Sequence, residues 1–237
     1  MADLFAYAVG RVRALEAHML DESKIIRMAD AKDFEAAFLV LRETPAFAEK
    51  IDRLEHPFDF EALLKNEMQW VRELLESLAP GNEILSVMWK KYDPELPLND
   101  YLKLLNAAAE KYGVPLFCSY ARGFTILNRL KLDLAAGKFD LEAVQNQYRF
   151  TDYHRAVNRG LDHFKKSGSL FALEREIDNH LMEILKKAKF KAFGIEPLIG
   201  FMYAKEIENK ILRLILTGKR MQVKTEAIKE RLRLSYV

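Results

Sequence analysis

A single cysteine, Cys118, in 237 residues leaves no partner for an intramolecular disulfide and fits a reducing compartment. Glycine and proline are scarce, with 10 and 7 residues. Set against abundant Ala, Leu, Lys and Glu, that scarcity favours helix over sheet. No apolar run approaches the ~20 residues that a membrane-spanning helix requires. A basic leader segment is also lacking: Asp3 stands where a secretory signal would be positive, and Leu4, Ala8, Val12, Leu15 and Met19 instead mark one face of an amphipathic helix. The formal net charge is only +2. These features predict a cytoplasmic helical protein, long enough for one large or two modest domains.

What is present is helical periodicity. The spacing predicts helices over 33–42, closed by Thr44-Pro45, over 60–78, ended by Pro80-Gly81, and over 84–91. Further helices are predicted over 100–112, 116–135, 141–148, 153–166 and 170–188, with Gly113, Gly137 and Gly168 as breaks. No stretch shows the period-two alternation and turn chemistry of a hairpin, although Val114 to Cys118 is short and ambiguous.

The stretch from Glu196 to Val237 is the most structured-looking of all. Tyr203, Ile207, Ile211, Leu214 and Ile215 fall on one helical face, and Lys205, Glu206, Glu208, Lys210 and Arg213 on the other. Gly218 stands where a C-cap glycine would end that helix, and a short helix is predicted over 225–234. From Leu181 onward there are 13 basic residues against six acids, an asymmetry that can steer a partner or an anionic surface. This region reads as a docking surface.

A weak repeat runs through the chain. Tyr7-Ala8-Val9, Tyr120-Ala121-Arg122 and Tyr203-Ala204-Lys205 each lie near the start of a predicted helix. Shorter helical segments follow near Lys32-Asp33-Phe34, Asp140-Leu141-Glu142 and Thr225-Glu226-Ala227. Three similar helical units packed side by side would account for the pattern.

Covalent chemistry finds little support. The five histidines show no paired ligand spacing, and Asp178 and His180, two apart, point to different sides of a helix. Glu174 and Asp178 share a face, but such pairs are usually solvated. Gly137-Lys138 and Gly218-Lys219 lack the earlier glycine of a phosphate-binding loop and read as helix stops. Cys118 reads as a structural thiol, and Trp70 and Trp89 as core residues. Catalytic residues, cofactor and metal ligands are all expected to be absent.

Several ordered motifs carry a resemblance. They are Tyr7-Ala8 with Arg11-Val12-Arg13-Ala14-Leu15-Glu16, Lys91-Tyr92-Asp93 with Leu102-Lys103-Leu104-Leu105, and Leu173 to Asn179. Gly194-Ile195-Glu196-Pro197-Leu198, Lys205 to Leu216, Gly218-Lys219 and Ile228 to Val237 complete the set. Together they resemble the C-subunit family of V-type and A-type ATPases and ATP synthases, relatives of the d subunit of eukaryotic V-ATPases. Members of that family are usually longer, so this chain looks shortened between Lys91-Tyr92-Asp93 and the region of Tyr120.

The resemblance implies an all-α fold of three related helical units, funnel-like around a pseudo-threefold axis, with a reduced middle unit. The corresponding boundaries are 1–98, 99–150 and 151–237 within one domain. It also implies a non-catalytic central-stalk subunit, cytoplasmic and peripheral at the inner face of the membrane. Its partners would be the axle subunits and the membrane rotor ring, with membrane contact only through the ring and no small-molecule substrate or nucleic acid. Lys205, Lys210, Arg213, Lys219 and Arg220 are the expected partner contacts. The rival reading is a helical protein that binds nucleic acid or an anionic surface through its basic C-terminal part.

Overall fold

Four aspartates set helix starts. Asp21 accepts from Lys24 N at 2.8 Å, Asp33 from Ala36 N at 2.8 Å, Asp59 from Ala62 N at 3.0 Å, and Asp140 from Glu142 N at 2.9 Å. Each satisfies an amide that the first helical turn would otherwise leave unpaired. A computed structural model, which describes residues 5–237, is all-α; no strand occurs among the described residues. Asp3 and Leu4, on which the amino-terminal reading drew, lie outside them.

The helices are α1 Ala6–Glu16, α2 Glu22–Asp30, α3 Phe34–Arg42, α4 Pro45–Asp52, α5 Phe60–Leu78, α6 Glu83–Trp89 and α7 Leu98–Tyr112. They continue as α8 Pro115–Ala135, α9 Leu141–Gln147, α10 His154–Ser167, α11 Phe171–Ala188, α12 Glu196–Arg220 and α13 Thr225–Glu230. Two of these, α2 and α4, are absent from the sequence reading. Thr44-Pro45, read as a stop, opens α4 instead, because proline at the first helical position has no N–H to leave unsatisfied. The ambiguous Val114–Cys118 stretch is the start of α8, again with proline in its first turn.

The chain divides into two compact units, one formed by Met1–Asn82 with Ala188–Val237 and the other by Glu83–Lys187. The first is organised around α12, which packs against α1, α2, α3, α5 and α13. Phe201, Met202, Leu212, Ile215 and Leu216 of α12 are fully buried, each contributing roughly 1.5–3 kcal/mol of transfer free energy. In the second unit Ile126 and Leu130 of α8, Val144 of α9, Val157 and Leu161 of α10, and Leu173 and Ile177 of α11 form one apolar cluster. Gly160 lets α10 and α11 meet there: a Cβ on it would lie 2.5 Å from Leu173 Cα.

Helix ends separate two glycines that the sequence made look alike. Gly137 has φ +66°, and it ends α8 as expected: Lys138 N donates to Asp133 O at 2.8 Å and Gly137 N to Leu134 O at 3.1 Å. Gly218 does not end α12, which runs on to Arg220. The left-handed position is Gln222, at φ 55°, with Val223 N donating to Gly218 O at 2.8 Å and Gln222 N to Lys219 O at 3.2 Å. Gly218 is instead a packing position, since a Cβ there would lie 2.8 Å from Ile228 Cδ1. After α13, which ends four residues earlier than predicted, the chain runs non-helically to Tyr236.

Candidate functional site

The polar residues most deeply held in the first unit lie on α12 and on the helices it touches. Along α5 the buried positions are Phe60, Leu63, Leu64, Glu67, Val71 and Leu75, so a carboxylate stands in the middle of an apolar stripe. Lys205 meets it. The Lys205 ammonium lies 2.9 Å from Glu67 Oε1 and 2.7 Å from Glu208 Oε2. Glu208 Oε1 accepts from Leu20 N at 2.7 Å, and Lys50 pairs with the second oxygen of Glu67. One turn along α12, Asn209 donates to Leu64 O at 3.0 Å.

Charge balance makes this cluster possible. Burial pushes the Glu67 carboxyl up, but attraction to Lys205 and Lys50 outweighs it and holds the group below its ordinary range. Burial likewise pulls Lys205 down, and Glu208 and Glu67 more than restore it, so its pKa is raised. Glu67 and Lys205 are therefore both held in their charged forms at neutral pH. An ion cluster of this kind locks register between helices and, once one partner is removed, costs about 3–5 kcal/mol.

A second polar lock joins segments from the two ends of the chain. Arg13 Nη1 donates to both oxygens of Glu16 at 2.9 and 2.7 Å, and the Tyr236 hydroxyl donates to Glu16 Oε1 at 2.9 Å. Lys189 donates to Tyr236 O at 2.6 Å and lies 4.1 Å from the centre of its ring. Burial, then the Glu16 carboxylate, raise the Tyr236 pKa and keep the phenol protonated.

The five expected contact residues are therefore not one solvated face. Lys205 is 3 % exposed and engaged inside its own unit, so it offers a partner no surface. Lys219 is also buried and donates to Thr225 Oγ1 at 3.0 Å, tying α12 to α13. Arg220 is exposed but lies 4.5 and 4.7 Å from the Phe34 and Phe60 ring centres, and donates to Phe58 O. Arg213 pairs with Glu61 at the surface, 3.0 Å apart, and Lys210 is half-buried and engaged within the protein. The polar-outward reading fails at Lys205, Glu206 and Glu208, which are buried because α12 has neighbours on several sides, and holds at Arg213.

The chemistry candidates end similarly. No group of three or more His, Cys, Asp or Glu that could hold a metal ion occurs among the described residues. Glu174 pairs with Lys131 at 2.5 Å. Asp178 is buried, and the His180 ring packs edge-on against Tyr153 at 4.6 Å. Burial raises the Tyr153 pKa, and its hydroxyl donates to Ser119 O at 2.8 Å. Cys118 faces Ala109 O at 3.4 Å. Sequence reasoning missed Glu67, Asn209 and the pairing of Glu16 with Tyr236. Glu67 carried a usable signal, its place on the apolar stripe of α5.

The buried charges on α12 and α5 hold helices of the first unit together. The sequence matches the family described as ATP synthase (C/AC39) subunit over residues 8–95 and 119–231. This chain belongs to that family. The intervening 96–118, which holds α7 and the start of α8, falls outside the match. It is similar to the C subunit of the V-type sodium ATPase of Enterococcus hirae, with 37% identity over 86 residues, 36% of this chain and 26% of that one. It is also similar to the C subunits of two A-type ATP synthases. The one from Methanocaldococcus jannaschii is 32% identical over 102 residues, 43% of this chain and 25% of the relative. The one from Methanothermobacter thermautotrophicus is 26% identical over 201 residues, 81% and 52%. The chain thus spans between a quarter and about half of the length of these curated relatives. No solved structure matches. No helix among the described residues is long and apolar enough to cross a membrane.

Proposed function

We propose that this chain is a non-catalytic central-stalk subunit of a rotary V/A-type ATPase. It would couple the soluble axle to the membrane rotor ring during ATP-driven or ATP-forming proton or sodium transport. In that role it is cytoplasmic and peripheral at the inner membrane face, and meets the membrane only through the ring. The observation that carries the reading is the use made of the family-like motifs. Arg13 and Glu16 of the first motif meet Tyr236 of the last, and Lys205 and Glu208 of the α12 motif brace α5.

A torque-transmitting part needs rigid, closely packed helices, whose interiors deform little under load. The proposal retains three related helical units, 1–98, 99–150 and 151–237, arranged funnel-like about a pseudo-threefold axis. Its support is a shared plan: α8 and α12 are long helices ending in the same left-handed turn, each followed by a short helix. Lys210, Arg213 and Arg220 remain the candidates for partner contact, since they reach the surface at least in part.

The test is co-purification of the full chain with the axle subunits and rotor ring of its own organism. Capture is expected, and Arg213→Glu with Arg220→Glu is expected to weaken it with the fold intact by circular dichroism. A folded chain that captures neither axle nor ring would overturn the reading.

A further inference from the structure

Within the second unit a cavity of about 310 Å³ opens between α7, α8 and α9, at the small end of the range for small-molecule sites. Ala109, Ala121 and Ile126 give it an apolar wall and are each under 10 % exposed. Arg122 and Arg129 line the same cavity from α8, seven residues and so about two turns apart. Arg122 is tied to Asp152 at 2.5 Å. Arg129 is exposed and makes no hydrogen bond or ion pair among the described residues; its charge acts on the nearby Tyr148 phenol. Glu110, on the α7 side, adds one negative charge to the lining.

We propose that this cavity binds a small monocarboxylic acid with an apolar body, its carboxylate on Arg129 and its body against Ala109, Ala121 and Ile126. A guanidinium without a protein partner supplies a charge-assisted hydrogen bond. The apolar wall rewards a hydrocarbon body, and Glu110 disfavours polyanions such as phosphate. This site is independent of the proposed role in a rotary ATPase.

Cys118 lines the cavity and is the only cysteine in the chain, which makes it a built-in reporter. The experiment follows alkylation of Cys118 by iodoacetamide in the full chain, with benzoate, benzyl alcohol or inorganic phosphate added. Benzoate is expected to slow alkylation, while the neutral alcohol and phosphate leave the rate unchanged. Arg129→Gln is expected to weaken apparent benzoate affinity about tenfold, as loss of one charge-assisted bond requires. Arg129 is exposed, so the variant keeps its fold, which circular dichroism checks. An unchanged rate up to roughly 10 mM benzoate, well above the millimolar affinity expected of a weak site, would overturn the proposal. So would equal protection by benzyl alcohol or phosphate, or protection that survives Arg129→Gln.

Discussion

The Tyr236 hydroxyl donates to Glu16 Oε1 at 2.9 Å across 220 residues of sequence. The contact closes the first unit by joining the segment after α13 to the end of α1, and Arg13 completes it by donating to both carboxylate oxygens and to the Tyr236 hydroxyl. Glu16 is only 6 % exposed, so water does not readily replace a lost partner.

Tyr236→Phe removes that donor and keeps the ring beside Lys189. The expected cost is about 1.5–3 kcal/mol in urea unfolding, the range for one hydrogen bond to a charged group. Combined with Glu16→Ala, the two changes should fall well short of additive, because both delete the same contact. Additive losses in the double-mutant cycle would show that the bond carries no coupling.

Glu67→Gln tests the ion cluster and its pH dependence. The folded-state pKa of Glu67 lies below its unfolded value, so its contribution is complete above about 4.3, the ordinary glutamate value. That contribution fades as pH falls through the lower folded value. At pH 7 the variant should lose up to about 3–5 kcal/mol, the cost of breaking a buried ion pair, with Glu208 remaining as the partner of Lys205. Towards pH 2–3 the gap to the unaltered protein should shrink. A gap that stays constant across that window would remove Glu67 as the source of the pH dependence.

Much of the architecture was legible because it depends on local signals. The helix over 60–78 is legible to the residue, and proline breaks and αL glycines mark several other ends. What was not legible depends on contacts made at a distance. On a lone α12 Lys205, Glu206 and Glu208 look like a water-facing surface; only the packing of α5 and α1 around that helix shows them to be interior. The short helix α4 escaped because Thr44-Pro45 reads as a stop, whereas proline at the first helical position opens it.

Three Gly→Ala substitutions should separate cleanly. Gly10 sits in α1, and a Cβ added there would have nothing within 4 Å, so Gly10→Ala should stabilise by about 0.5–1 kcal/mol. Gly218→Ala meets the Ile228 side chain at 2.8 Å, which can turn aside in part, and the helical gain offsets some of the strain. Gly160→Ala meets Leu173 Cα at 2.5 Å, backbone that cannot turn aside. Its cost should be about 1–3 kcal/mol or more. Thermal unfolding of the three variants checks the order, and Gly160→Ala matching Gly10→Ala would refute the close approach of α10 to α11.

Gln222 offers the opposite substitution. It holds the left-handed position at φ 55° in the turn that ends α12, where a side chain costs about 1–2 kcal/mol relative to the right-handed form. Gly137 occupies the equivalent position after α8, at φ +66°. Gln222→Gly removes the steric cost but adds freedom to the unfolded chain, so the net gain should be below about 1 kcal/mol. The turn keeps both of its backbone bonds, from Val223 N and Gln222 N, since neither uses the glutamine side chain. A higher urea midpoint with an unchanged slope is the expected result. A lower midpoint would mean that the strain at Gln222 is smaller than its backbone angle implies, and that the unfolded-state entropy of glycine outweighs it.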